Sequence, residues 1–224
     1  MKRILSMVLL LMTITAHAQN KYCCSYEEFV NNQWESLNYI EANTHSKSHQ
    51  LWWGGNDYKF TTGDNATDKI LKKQAFAVMI GDTLYLNCRN LRFEGANFGN
   101  GYTKAKRIGK RSLLIVNRIN GKNVNSSVNT ASFFFGIIGG AIAASDVMKT
   151  QVCYVISSGA GSNGKIGIRM IDDNLMDQML ADHNELRYKY YDERDGEKRM
   201  LAKHIIPILE EAGLFNQASS NSQQ

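Results

Sequence analysis

A strand–turn–strand pattern in the middle of the chain constrains its fold more tightly than any other feature. Apolar residues recur at every second position along Ala75–Ile80 and again along Thr83–Cys88. Such alternation is typical of strands that bury one face. Gly81-Asp82, between the two runs, suits a two-residue hairpin turn. The sequence therefore predicts an antiparallel strand pair with an apolar face that other elements must cover.

Further runs of strand type lie on both sides of this hairpin. Gly54-Gly-Asn-Asp57 separates two of them and predicts a second hairpin, while Asn120-Gly121 ends a third run. We interpret the polar stretch Glu41–His49 as a loop and expect Tyr26–Tyr39 to begin with a short helix. The further strand candidates are Leu51–Trp53, Tyr58–Thr62, Leu113–Ile119, Gln151–Ser157 and Lys165–Ile171.

The spacing of apolar residues changes to a helical period near the C-terminus. Asp172 or Asp173 can cap a helix that extends to Tyr190, and Asp195 can cap a second helix that Gly213 ends. The only proline of the chain lies in this second helix, and we expect it to kink or divide the helix. Strands followed by helices predict an α+β fold, a mainly antiparallel sheet with two C-terminal helices packed on it.

The first 18 residues have the organisation of a cleaved export signal. Lys2 and Arg3 precede the apolar run Met7–Met12, and Ala16-His-Ala18 has the small-x-small form of a cleavage site. The apolar run is too short to span a bilayer, which needs about 20 residues. We therefore expect export to the periplasm, the outer membrane or the extracellular space. The expected organisation is a signal over 1–18, a single domain over 19–215 and a disordered polar tail over 216–224.

The net charge bears on which partners the protein can bind, and the cysteines bear on whether it contains disulfides. The formal net charge of +5 includes Lys2 and Arg3, so the mature chain carries +3. This excess is too small to indicate nucleic-acid binding, and export argues against it as well. An oxidising compartment permits disulfides among the cysteines, but a Cys88–Cys153 bridge and two buried free thiols both fit the predicted strands.

The least ordinary segment is Ala131–Ser145, which combines apolar residues with glycine. Small residues recur every four positions, at Ser132, Gly136, Gly140 and Ala144, a spacing that lets two helices approach closely. About 14 apolar residues span ~21 Å as a helix, short of a hydrocarbon core of about 30 Å. We interpret the segment as a helical insertion packed on the sheet. Membrane association or self-association through the four small residues is the alternative.

Three aromatic residues, Trp52, Trp53 and Tyr58, are candidates for stacking a ligand such as a sugar. Strand alternation sends Trp52 and Trp53 to opposite faces, so at most one of them can join such a platform. The alternative for all three is core packing, because aromatic side chains are usually buried.

A basic run just before a predicted strand contributes the remaining candidate ligand-binding residues, Lys104, Lys106 and Arg107. Their charge suits an anionic glycan or a lipid headgroup. Solvated charges that protect an edge strand are the alternative.

Two histidines, His45 and His49, lie four residues apart, and Asp57 is the nearest candidate for a third metal ligand. The segment is polar and has no helical period, whereas a zinc site needs three or four converging ligands. We therefore expect solvated loop histidines, with no metal and no cofactor.

Catalytic and cofactor motifs are missing or out of context. Gly159-Ala-Gly-Ser-Asn-Gly164 has the spacing of a dinucleotide loop, but a strand pattern follows it where a helix is required. Neither a G-x-S-x-G elbow nor an H-E-x-x-H helix occurs in the sequence. These observations favour a non-enzymatic binding or interaction module. An exported hydrolase acting on glycans is the second alternative, after membrane association or self-assembly.

Four segments carry a resemblance to a family of proteins: Ser25-Tyr-Glu-Glu-Phe29, His45–Tyr58, Gly99-Asn-Gly-Tyr102 and Ile171–Asp177. In these segments the chain resembles an uncharacterised family of exported proteins from Bacteroides-type gut bacteria. The resemblance covers nearly the whole mature chain and implies a Gram-negative envelope or extracellular setting, with an unknown partner there. Because that family has no known function, the resemblance implies no catalytic or binding residue.

The signal predicts a defined mature N-terminus. We expect secretion of the full chain from a Gram-negative host to yield a product that begins at Gln19, as measured by intact mass and N-terminal sequencing. Ala18→Arg should block cleavage, because the site requires a small residue there. An exported product that retains Met1 would contradict the assignment.

Overall fold

The computed structural model describes residues 20–45, 56–117, 151–159 and 166–215. Several of the residues singled out above lie outside these ranges, so the predictions for them stay predictions. They are the signal Met1–Ala18, His49, the strand candidate Leu51–Trp53 with Trp52 and Trp53, Gly54-Gly55, Asn120-Gly121, the Gly-rich segment Ala131–Ser145, Ala160–Gly164 and the tail from 216 onward.

Strands dominate the described part of the chain and form one large sheet and one small hairpin. The strands are β1 (Asn20–Cys23), β2 (Glu35–Leu37), β3 (Glu41–Thr44), β4 (Tyr58–Thr61), β5 (Ala77–Ile80), β6 (Thr83–Asn87), β7 (Arg92–Phe93), β8 (Ala96–Asn97), β9 (Tyr102–Ile108), β10 (Ser112–Asn117), β11 (Val152–Ser158) and β12 (Ile166–Met170).

The described part of the chain also contains six helices. They are α1 (Tyr26–Val30), α2 (Asn65–Lys73), α3 (Asp173–Met179), α4 (Asn184–Tyr191), α5 (Gly196–Arg199) and α6 (Ala202–Glu211).

The large sheet is antiparallel throughout. Its strands lie in the order β12-β11-β10-β9-β6-β5-β1-β2, and the β3–β4 hairpin joins it where Tyr58 pairs with Tyr102 of β9. The predicted hairpin around Gly81-Asp82 is present as β5 and β6, with Ile80 opposite Thr83. Together with the helices packed on the sheet, this arrangement confirms the predicted α+β fold.

Side-chain alternation divides the sheet into two faces that are both covered. The first face carries Leu86, Ile115 and Tyr154 in one core that includes Phe29 of α1. The second face has two cores, one against α2 and β4, and one against α3, α4 and α6. Helices therefore cover opposite faces of the same strands, because each strand sends apolar residues in both directions.

The cysteines follow the same division. Cys23 and Cys88 belong to the core of the first face, whereas Cys153 belongs to a core on the second face. The sheet thus separates Cys88 from Cys153, and all four cysteines, Cys24 included, are free thiols. Burial raises the pKa of both the Cys23 and the Cys153 thiol to about 12, which makes each a poor nucleophile.

The prediction of a loop over Glu41–His49 is wrong in its first half. Glu41–Thr44 is strand β3 and pairs antiparallel with β4. The segment predicted to pair with β4, Leu51–Trp53, lies outside the described residues. All four residues of β3 are exposed. The strand therefore lacks the apolar alternation by which it could have been recognised.

The C-terminal helices are more divided than their apolar spacing predicts. The first expected helix is two helices, α3 and α4, and Asp172 caps α3 by accepting a hydrogen bond from the N–H of Leu175 at 2.8 Å. The second expected helix is also divided, into α5 and α6, and Asp195 caps only α5. The helix is interrupted between α5 and α6 because Leu201 pairs with Val152 of the sheet.

Two further features of the helices differ from expectation. Pro207 lies inside α6 without dividing it. Helix α2 is absent from the sequence prediction, and it buries only Leu71 fully. Its start is fixed by polar contacts instead, since the Asp64 carboxylate accepts hydrogen bonds from the N–H and the hydroxyl of Thr67 at 2.8 and 2.7 Å.

A charged cluster joins α3, α4 and α5. The Asp173 carboxylate accepts hydrogen bonds from Arg199 Nε at 2.9 Å, Arg199 Nη2 at 2.5 Å and the Tyr190 hydroxyl at 2.8 Å. The Arg199 guanidinium also lies 5.0 Å from the centre of the Tyr191 ring. The hydrogen bonds from Arg199 hold the pKa of Asp173 below its usual value of 3.8.

Asp173→Asn should lower the free energy of unfolding at pH 7 by about 1–2 kcal/mol, since it removes charge-assisted hydrogen bonds at a partly exposed site. The folded-state pKa lies below the unfolded one. The contribution is therefore complete above pH 3.8 and is lost as the pH falls through the folded value. Urea unfolding at pH 7 and pH 2 checks this, with the exposed Asp182→Asn as control. An equal loss of unfolding free energy in Asp173→Asn and Asp182→Asn at pH 7 would contradict this prediction.

Candidate functional site

The predicted basic run does not form one surface. Lys104, Lys106 and Arg107 lie within β9 and not before a strand, so alternation sends the two lysines to the second face and Arg107 to the first. Lys106 forms an ion pair with Glu210 of α6. The Arg107 guanidinium lies 4.4 Å from the centre of the Phe29 ring, and burial lowers its pKa.

The aromatic candidate that the structure describes, Tyr58, is part of a cluster on the second face. Its ring stacks on Phe60 at 6.3 Å between centroids and meets Tyr85 edge-on at 4.9 Å. Lys104 Nζ lies 5.9 Å from the centre of the Tyr58 ring. The structure thus brings Tyr58 and Lys104 together, while most of the aromatic surface is used for packing.

His45 and Asp57 face each other at the end of the β3–β4 hairpin, where the His45 N–H donates to the Asp57 carbonyl at 2.9 Å. Within the described residues, no group of three histidine, cysteine, aspartate or glutamate side chains is placed to hold a metal ion. The third residue of the proposed set, His49, lies outside those residues, as do Ser132, Gly136, Gly140 and Ala144.

A groove that the sequence did not reveal lies along the outer edge of β12. It encloses about 310 Å³ between the β7–β8 hairpin and α3. We call it the β12 groove. Its lining residues are Phe93, Glu94, Ile168, Arg169, Met170, Asp172, Asn174, Leu175 and Gln178.

The first wall of the β12 groove is the β7–β8 hairpin. Its turn, Glu94-Gly95, has φ of 47° and 80°, as in the two-residue turns that suit hairpin twist. A positive φ is uncommon for glutamate, but here it places the side chain at the tip of the wall. Phe93 anchors the hairpin, since its ring contacts Tyr154 edge-on at 5.4 Å between centroids.

The second wall is α3, which begins directly after β12. Leu175 is buried and holds the helix against the second face. Asn174 and Gln178 are exposed and line the groove with amide groups. The Asp172 carboxylate accepts the N–H of Leu175 as a helix cap, so one of the acidic groups at the groove is already used.

The floor is the free edge of β12. Within the described residues, β11 is the only strand that pairs with β12. The Ile171 N–H donates to the Cys153 carbonyl at 2.9 Å, and bonding alternates along an antiparallel ladder. Arg169 therefore bonds inward to Val155, its register partner. The backbone groups of Ile168 and Met170 point outward, into the groove.

Two charges and one hydroxyl near the groove have no described partner. The side chains of Glu94 and Arg169 are both exposed, and neither forms a hydrogen bond or an ion pair with another described residue. The hydroxyl of Tyr154, which sits behind Phe93 and opposite Met170 on β11, is buried and has no hydrogen-bond partner there either. The exposed charges of Glu94 and Arg169 line the groove and can contact a polar ligand, whereas the Tyr154 hydroxyl lies in the core and is not among the lining groups.

Sequence reasoning missed the β12 groove because no single segment carries its signal. Strands β7 and β8 have two residues each, too few for alternation to show. The only local sign is the glycine of Glu94-Gly95, which marks a turn without saying what the turn lies against.

Fold and groove together define a class: a mainly antiparallel α+β protein with an open groove at a sheet edge. The chain belongs to a family of unknown function, DUF6563, whose family model matches residues 21–216. No curated protein and no solved structure matches the chain. None of the described helices is both long and apolar enough to cross a membrane.

The orphaned hydroxyl gives a direct test of the geometry behind the groove. Tyr154→Phe should raise the free energy of unfolding by about 1 kcal/mol, because it removes a buried polar group that has no described partner. The matched control is Tyr190→Phe, which removes a buried hydroxyl that donates to Asp173 and should destabilise instead. Urea denaturation measures both. A loss of stability in Tyr154→Phe would contradict the described environment.

Proposed function

We propose that this protein is an exported, non-enzymatic binding module whose ligand site is the β12 groove. The observation that carries the proposal is the outer edge of β12, which pairs with no further strand among the described residues and where the outward backbone groups of Ile168 and Met170 lie between two walls. Unpaired edges attract partners, and proteins usually block them with charge, bulges or short strands. Here the edge is framed by Phe93 on one side and α3 on the other.

The chemistry of the lining supports binding over catalysis. The described lining contains no histidine, cysteine or serine. One of its two carboxylates, that of Asp172, already caps α3. Apolar contacts from Phe93, Ile168 and Met170, with a few polar groups around them, are typical of a recognition site.

The cellular setting is part of the same proposal. An N-terminal export signal and the resemblance to proteins of Bacteroides-type bacteria support a Gram-negative envelope or extracellular location. A groove of this kind would there meet an envelope or extracellular partner. The alternatives are membrane association or self-assembly through Ser132–Ala144, which lies outside the described residues, and glycan hydrolysis near His45 and Asp57.

A groove-filling substitution tests the assignment. We expect ligands found by thermal-shift screening of peptides, oligosaccharides and lipids against the mature protein to bind Gln178→Trp at least tenfold more weakly, by calorimetry. The reason is steric, because position 178 is exposed and lines the groove. Glu185→Trp, at an exposed position of α4 outside the lining, is the matched control.

Lys104→Ala decides between the two candidate surfaces. Its ammonium group lies near Tyr58 on the second face, away from the lining residues. Ligands that bind Gln178→Trp normally but lose affinity for Lys104→Ala would assign binding to the Tyr58–Lys104 surface and overturn the groove as the site.

A further inference from the structure

We propose that the occupant of the β12 groove is an extended polypeptide segment that pairs with β12 as an added strand. This inference rests on the proposed function, since it names the class of partner for the same site. The partner is expected to carry a basic side chain on one face of its strand and an acidic side chain on the other.

The backbone of β12 is the first reason. Ile168 and Met170 direct their N–H and C=O groups away from β11, as the inward bonding of Ile171 and Arg169 requires. Two donors and two acceptors spaced in this way match the backbone of a neighbouring strand about 4.8 Å away. Addition of a peptide strand to a sheet edge uses these groups for affinity and the neighbouring pockets for specificity.

The walls are the second reason. The β7–β8 hairpin stands on the first-face side of the edge, and α3 stands on the second-face side. A helical ligand is about 10 Å across and leaves the outward N–H groups unpaired. A second folded copy would bring its own hairpin and α3 against those of the first. A single extended chain meets neither obstacle.

The charges are the third reason. Side chains of an added strand alternate between the two faces. Those on the first-face side lie beside Phe93, Ile168 and the exposed carboxylate of Glu94. Those on the other side lie beside the exposed guanidinium of Arg169 and the amides of α3. The preferred partner therefore has apolar and basic side chains towards Glu94, and polar and acidic ones towards Arg169.

The opposite end of the sheet provides a contrast. The edge strand there, β2, has three residues, and Glu35 and Ser36 are exposed. Its carboxylate Glu35 accepts a hydrogen bond from the Tyr22 hydroxyl. Shortness and charge are common protection for an edge. The longer β12, with Ile166, Ile168 and Met170 in alternation, carries Arg169 as its one charged residue and presents a longer edge.

Amide hydrogen exchange, measured at each residue of β12, can detect pairing with an added strand. The probe is the capped peptide Thr-Val-Glu-Lys-Thr-Val-Thr, with versions shifted by two residues, mixed with the isotope-labelled mature protein. We expect amide exchange at Ile168 and Met170 to slow at least tenfold on binding. Exchange at Arg169 should change less than threefold, because its amide already bonds to β11.

Matched controls separate strand pairing from other binding. N-methylation of alternate peptide residues removes the donors and should abolish binding, whereas N-methylation of the other set should not. Glu94→Gln should weaken binding of the lysine peptide at least threefold, and should not weaken binding of a peptide with norleucine in place of lysine.

The two proposals fail separately. If no peptide of the set slows exchange at Ile168 and Met170, while Gln178→Trp still abolishes binding of a sugar or lipid, strand addition is wrong and the groove remains the site. If peptides bind with equal protection at Arg169 and Ile168, or regardless of N-methylation, strand addition is also wrong. If Gln178→Trp binds every ligand normally, the proposed site itself is wrong.

Discussion

Strand β10, at the centre of the sheet, has three consecutive buried residues, Leu113, Leu114 and Ile115. Apolar side chains therefore project from both faces of the sheet there. Each such side chain stabilises the fold by roughly 1.5–3 kcal/mol only if something covers it. A strand buried on both faces therefore needs two layers of cover. Helix α1 supplies cover on the first face, and α3, α4 and α6 supply it on the second. The rest of the architecture follows from this requirement.

The covering elements also create the β12 groove. The hairpin that anchors Phe93 on Tyr154 and the helix that buries Leu175 are held in place by opposite cores. Because these two elements cover opposite faces near the last strand, they flank its edge. The groove is thus a consequence of how the sheet ends, and its polar groups, Glu94 and Arg169, belong to elements held by those cores.

Much of the fold was predictable from short-range patterns, because alternation and helix caps are local properties. Strands β5, β6 and β11 and the Asp172 cap lie where the sequence placed them. The failures have physical causes as well. Strand β3 has no buried residue, so it lacks the apolar alternation by which a strand is predicted. The interruption between α5 and α6 occurs where Leu201 pairs with Val152, which is distant in the sequence.

By itself the sequence determined the class of fold, the β5–β6 and β11–β12 hairpins and the expectation of export, because each depends on neighbouring residues. It did not determine what the charged residues do. Lys106 meets Glu210, more than a hundred positions away, and Arg107 turns to Phe29 on the other face. The β12 groove likewise joins residues from 93 to 178. Only tertiary packing brings such distant positions together, since the relevant distances are set by the sheet order and not by spacing along the chain.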